Sequence, residues 1–160
     1  MSVTVRLPDA DATRAYGRAL ADVLRAGDLV VLTGDLGAGK TTLTQGIGAG
    51  LHVRGQVASP TFIIAREHPP VPRADGTRGP TLVHVDAYRL ASAAEVDDLD
   101  LDLDGAITVV EWGAGKLDGA VDSWLELDIV RPVGGDPEAD DAPRHVRLHA
   151  HGPRWDGVAL

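Results

Sequence analysis

Residues 34–41 read Gly-Asp-Leu-Gly-Ala-Gly-Lys-Thr, a full G-x-x-x-x-G-K-[ST] pattern, and no other stretch narrows the choice of fold so far. The pattern works in one setting: a strand before it, a helix after it, and loop N–H groups turned inward on an anion. Both flanks are present, since Leu29-Val30-Val31-Leu32 is an apolar run of buried-strand type and Thr41 to Leu51 reads as a helix. Gly37 and Gly39 leave room for phosphates, and the helix presents its positive end to the same charge. In such a loop Lys40 reaches the β- and γ-phosphates of a nucleotide, Thr41 offers its hydroxyl to a bridging Mg²⁺, and Thr42 follows on the first turn. A chance glycine-rich cap is the bland alternative, and the flanks argue against it. Lys40 is one of two lysines beside thirteen arginines, a scarcity that a GC-rich genome would also produce.

A chain of 160 residues fits a single domain spanning 1–160, which by size scaling buries roughly two-thirds of its unfolded surface without a covalent staple. Cysteine is absent, which excludes disulfides and thiolate metal sites and is compatible with a reducing cytosol. The start, Met-Ser-Val-Thr-Val-Arg, has no basic-then-apolar leader, and no run approaches the ~18 apolar residues of a membrane span. A soluble, cytoplasmic protein is the expectation. The formal charge of −9 disfavours a direct grip on nucleic acid, which rests on phosphate neutralisation. Six acids and no base fall between Glu95 and Asp104, and four acids between Asp136 and Asp141. A solvated face is the default reading of such runs, and docking to a basic partner the sharper one.

Hydrophobic spacing orders the rest of the chain. Val3 to Leu7 alternates as a strand, and Pro8-Asp9, with Asp11 or Thr13 as cap, opens a helix to about Ala26 whose core face carries Tyr16, Ala19, Leu20, Val23 and Leu24. Phe62 to Ala65 is strand-like, and proline-rich 69–80 is a surface loop. Thr81 to Asp86 and Ala106 to Glu111 are buried-strand patterns that each end in an acid, and Ser92-Ala93-Ala94-Glu95 is a capping box opening a short helix. Trp124 to Val130 alternates as an antiparallel strand with one wet face, and His145 to His149 is a final strand. The fold class expected is α/β, a P-loop NTPase-like three-layer fold with a central, mostly parallel but mixed β-sheet, its ligand at the carboxyl ends of the central strands.

A phosphate loop needs an acid at the end of a neighbouring strand to hold a metal or its water, and Asp86 and Glu111 are the candidates. Either alone could be a turn residue; the pair beside a phosphate loop points to a site. Thr61, in Ser59-Pro60-Thr61, stands where such folds place a switch hydroxyl near the terminal phosphate, and an ordinary turn is an equal alternative. His84, alone in an apolar strand, reads as a core or sheet-face residue rather than a catalyst. Trp112 packs against a switch or forms part of a core rim. Nothing in the sequence pairs His84 as a metal site, and zinc is not expected.

Taken in order, GDLGAGKTTL, SPTF, HVDAYRL and VVEWG in a chain of this length resemble the TsaE family, formerly YjeE: bacterial ATPases of the pathway that makes N6-threonylcarbamoyladenosine on tRNA. The resemblance runs from about Thr13 to Trp112, with weaker similarity in the last strand. It implies an ATP-binding loop of Gly37, Ala38, Gly39, Lys40, Thr41 and Thr42, with Thr41 and Glu111 as Mg²⁺ ligands. It further implies that Asp86 is needed for hydrolysis, that Thr61 is the switch threonine, and that Trp112 lies beside the nucleotide. Asp11, Thr13 and Arg144 become adenine contacts. The implied partners are the TsaD and TsaB proteins, with tRNA reached only through their complex and no membrane involved. An acidic chain suits that indirect role, because a nucleotide switch acts through differential affinity for a partner. Loop 69–80 and the two acidic stretches depart from the family's pattern and bear on partner contacts.

Two other classes stay open on the residues alone. A small-molecule kinase of this size would close Arg66, Arg73 and Arg78 over an acceptor pocket, and a binding module would hold ATP without turning it over. A GTPase is disfavoured by the lack of an N-K-x-D guanine-reading motif.

Overall fold

In the computed structural model the described residues are 2–34, 39–55, 57, 65–87, 103–111, 121–131 and 143–160. They form one seven-stranded sheet in the order β1-β7-β6-β2-β5-β4-β3, where β1 is Ser2–Leu7, β2 Leu29–Thr33, β3 Ala65–His68, β4 Thr81–Asp86, β5 Ala106–Glu111, β6 Trp124–Val130 and β7 Arg144–His151. The four central strands, β6, β2, β5 and β4, run parallel, while β7, β1 and β3 are added antiparallel on the two flanks. The α/β class with a mixed sheet therefore stands, and the antiparallel strands come from both halves of the chain. Parallel strands buried on both faces should be largely apolar, and β2 (Leu-Val-Val-Leu) and, apart from Thr108, β5 (Ala-Ile-Thr-Val-Val) follow this. β6 borders the antiparallel flank and alternates instead, as its sequence reads.

Helices α1 (Ala10–Ala21) and α2 (Lys40–Leu51) pack on each other and on one sheet face, where Leu20, Leu43, Ile47 and Leu51 meet Val30, Leu32, Leu82, Val109, Leu127 and Leu148. On the opposite face Leu29, Val31, Val83, Val85, Ala106 and Val110 form a second cluster. The helix expected from Ser92, which would bear on the three-layer arrangement, lies outside the described residues, as do residues 62–64 of the strand expected there. The strand that is described, Ala65–His68, begins where that expectation ended.

Two boundaries differ from the sequence reading. The N-cap of α1 is Asp9, not Asp11 or Thr13: its backbone is extended and its Oδ1 accepts the Ala12 N–H at 2.7 Å. Helix α1 stops at Ala21 rather than near Ala26, because the chain tightens into i→i−3 turns and the Asp28 carboxylate draws the Arg25 N–H to 2.8 Å. Val23 and Leu24 reach the core from that turn. After β7 a short 3₁₀ turn, Pro153–Trp155, buries Trp155 and brings Arg154 onto the buried Asp28, with Nε–Oδ1 3.0 Å and Nη2–Oδ2 3.1 Å. Nothing in the local sequence announces this pairing across 126 residues.

Candidate functional site

Strand polarity decides where the chemistry-bearing residues meet. Because β2, β4, β5 and β6 are parallel, their carboxyl ends gather on one rim, and that rim receives the start of α2 directly after β2. The register places Leu127, Leu32, Glu111 and Asp86 in one row across β6, β2, β5 and β4. Partners in a parallel register share a face, and Leu32 belongs to the core beneath α1 and α2. Asp86 and Glu111 thus stand side by side on the α2 face of the sheet. Glu111 is 3% exposed and Asp86 half-buried.

Gly39 caps α2 with φ 112, a conformation that disfavours any residue with a Cβ. Lys40 opens the helix, is buried, and donates Nζ to the Gly34 carbonyl at 2.7 Å, across the gap the loop spans. Thr41 and Thr42 follow on the first turn, half-buried, and Thr44 anchors the turn by donating Oγ1 to the Lys40 carbonyl at 2.8 Å. This is the polarity an anion site requires: a helix N-terminus with its free N–H groups and an ammonium at the same spot.

Arg144 reaches the same spot from β7. That strand is antiparallel to β6, so its first residue returns to the carboxyl rim, opposite Leu7 at the end of β1. The Arg144 side chain is buried, its Nη1 lies 3.5 Å from Thr13 Oγ1 on α1, and its Nε would stand 2.9 Å from a Cβ built on Gly39. Thr13 is held in turn by donating to the Asp9 carbonyl at 3.0 Å. Two of the three residues implied as adenine contacts are therefore neighbours beside the phosphate loop. The third, Asp11, points to solvent and pairs with Arg14 at 3.2 Å, with 94% of its side chain exposed. Thr61, Trp112, Gly37 and Ala38 lie outside the described residues.

Sequence reasoning missed the partner of Glu111. His84, fully buried on β4, sits diagonally across from it with Nε2 3.2 Å from Glu111 Oε2. The alternation of β4 puts His84 on the face of Asp86, so the signal was present once β4 and β5 were taken as neighbours. A separate cavity of about 390 Å³, lined by Arg14, Gln45, Gly48, Ala49, Val53, Gly55 and Val57, contains none of the nominated residues. Loop 69–80 precedes β4 and is tied by backbone bonds to the end of α2, through Arg54 to Pro69 and Val71 to His52. Arg73 and Arg78 accordingly lie at the amino end of β4, away from the phosphate-loop rim.

The donors at the rim are oxygens: the carboxylates of Glu111 and Asp86 and the hydroxyl of Thr41. That set suits a hard cation that completes its shell with phosphate and water rather than an all-protein cage. Among the described residues no group of three or more His, Asp or Glu is placed to hold a metal by itself. No described helix is long and apolar enough to cross a membrane.

Comparison with known proteins gives a consistent set of relatives. A family model described as "Threonylcarbamoyl adenosine biosynthesis protein TsaE" matches residues 7–133. A Streptomyces coelicolor protein named "tRNA threonylcarbamoyladenosine biosynthesis protein TsaE" is 54% identical over 145 residues, covering 89% of this chain and 93% of its own length. The Bacillus subtilis protein of the same name is 33% identical over 152 residues, covering 94% and 87%. The crystal structure of Bacillus subtilis YdiB superposes with a TM-score of 0.72 at 29% identity, covering 98% of this chain and 90% of that one.

Proposed function

The chain belongs to the TsaE family, and on that premise we propose that it is the Mg²⁺-dependent ATPase of tRNA N6-threonylcarbamoyladenosine biosynthesis, controlling assembly with the TsaD and TsaB proteins. The observation that carries this reading is that Lys40, at the head of α2 directly after β2, lies on the same rim of the sheet as the Glu111–Asp86 row at the carboxyl ends of β5 and β4. A phosphate loop without acids beside it would bind an anion; acids beside it give the terminal phosphate a metal and a water to work with.

In this reading Lys40 and the N–H groups at the start of α2 bind the β- and γ-phosphates, and Arg144 with Thr13 borders the nucleotide from β7 and α1. Thr41 and Glu111 would hold Mg²⁺, which when bound neutralises phosphate charge. Asp86, one strand over from Glu111, orients the attacking water. Thr61 senses the terminal phosphate, and Trp112 follows Glu111 in the chain toward the nucleotide. The family's role in making a tRNA modification accords with an acidic chain that acts through proteins rather than by gripping tRNA. Of the three arginines in the kinase-lid alternative, Arg73 and Arg78 lie away from the rim, which speaks against it, while Arg66 stands opposite His84 on β3.

The test is ATP hydrolysis by the chain alone and with TsaD and TsaB, coupled to tRNA modification in one mixture. Slow turnover that rises with the partners is expected, together with loss of nucleotide binding in Lys40→Ala and weakened Mg²⁺ dependence in Glu111→Ala. Wild-type binding and hydrolysis in both variants would overturn the site.

A further inference from the structure

We propose that His84 is the positioning residue for Glu111, fixing one carboxylate oxygen so that the other faces the divalent cation of the bound nucleotide. This rests on the reading of Glu111 as a cation ligand.

His84 occupies a place that an apolar residue would fill at less cost. Its strand neighbours Leu82, Val83 and Val85, and Val109 and Val110 across on β5, are all buried. A polar ring in such surroundings is stable only if hydrogen-bonded. Its one bond among the described residues is from Nε2 to Glu111 Oε2, at 3.2 Å, and Nδ1 is buried without a partner there. A carboxylate only accepts, so Nε2 is the donor in this bond. The ring therefore satisfies no other described group, and its polarity is directed at Glu111 alone. Glu111 ends its strand on a side chain with three rotatable bonds, and a second contact is what holds such a ligand in one orientation. Partners of this kind are worth about 10–100-fold in metal affinity.

A merely structural histidine, filling space or keeping a buried carboxylate company, predicts a different result from a positioning one. The experiment measures binding of a fluorescent ATP analogue to the full chain, in EDTA and across a Mg²⁺ titration, for wild type, His84→Leu, His84→Gln and Glu111→Gln. In His84→Leu the Mg²⁺ concentration at half-enhancement should rise by about tenfold or more, with metal-free affinity unchanged. His84→Gln, which keeps an N–H donor at similar reach, should recover most of that loss, and His84→Leu should add nothing in the Glu111→Gln background. Unchanged Mg²⁺ dependence in His84→Leu, an equal loss with and without metal, or a full further loss on top of Glu111→Gln would each overturn the proposal. Should His84→Leu fail to fold by circular dichroism, His84→Asn replaces it: polar, one methylene shorter than Gln, and unable to reach. Wild type that binds the analogue equally with and without Mg²⁺ would instead overturn the cation reading of Glu111, and this proposal with it.

Discussion

Replacing Gly46 by alanine tests how the phosphate-loop helix is held. Gly46 faces α1 at the point of closest approach, and a Cβ there would stand 2.2 Å from the Arg14 carbonyl oxygen. Since ordinary Cβ contacts begin at 3.4 Å, the two helices must part by about 1 Å in a core packed to crystal density. Overpacking of this kind costs about 1–3 kcal/mol, toward the upper end here because a backbone carbonyl cannot rotate aside. Alanine's advantage over glycine within a helix offsets about 0.5–1 kcal/mol. The net is a destabilisation of about 1–2 kcal/mol, which at about 2–4 °C per kcal/mol for a chain of this size lowers Tm by roughly 2–8 °C. Thermal unfolding by circular dichroism reads it directly. Gly48→Ala is the internal comparison: its Cβ would meet a side-chain methyl, Val57 Cγ2 at 2.9 Å, which can yield. Nucleotide affinity should fall in Gly46→Ala as well, because α1 carries Thr13, the acceptor for Arg144. A Gly46→Ala protein that melts at or above wild type, or a Gly48→Ala protein that loses as much, refutes the close-crossing argument.

Three further outcomes are expected. Arg154→Met leaves the buried Asp28 carboxylate without its two-pronged partner and without the Nη2 bond to the Val23 carbonyl; unfolding free energy should drop by about 3 kcal/mol, with Asp28→Asn in the same chain recovering part of it, as denaturant titration will read. Burial holds the His68 pKa below its ordinary value; the bond to the Arg54 carbonyl opposes it without cancelling it, and nearby His84 and Arg66 add smaller lowering contributions. Below about pH 6.5 the unfolded chain therefore binds more protons at this position, so the stability it contributes is present above that pH and lost as pH falls through the lowered value; the acid-side slope should be shallower in His68→Phe. Gly39→Ala places a side chain at φ 112 and against Arg144; fluorescent-nucleotide titration should show at least about tenfold weaker binding in a chain that retains its circular dichroism spectrum.

How far the sequence could be read depended on the range of the interaction. The bounds of β4, β5 and β6 match the hydrophobic runs to the residue, because alternation and burial are written locally in each run. The N-cap of α1 was displaced because Asp9, Asp11 and Thr13 are all good caps in isolation, and only the extended backbone of Asp9 makes it the one that bonds Ala12. The early end of α1 is not legible in the sequence because Val23 and Leu24 keep helical spacing while a turn delivers them to the same core. His84 was read by its surroundings within β4, where it is one polar residue among apolar ones; its partner belongs to another strand, 27 residues on.

Taken alone, the sequence determined the strand–loop–helix unit with Lys40 at its head, the acids that end two apolar strands, and, through four ordered motifs, the family. Each of these is carried by residues adjacent in the chain, where backbone conformation and side-chain chemistry act together. Tertiary structure alone decided that β5 enters between β2 and β4, setting Glu111 between Leu32 and Asp86 and within reach of His84. It also decided that β7 returns Arg144 to Gly39 and Thr13, and that α1 meets α2 at Gly17, Gly46 and Gly50. Hydrophobic patterning tells a strand which face to bury, and the same pattern fits several orders of strands. Which neighbour a side chain meets is settled only when the whole sheet and its helices pack at once.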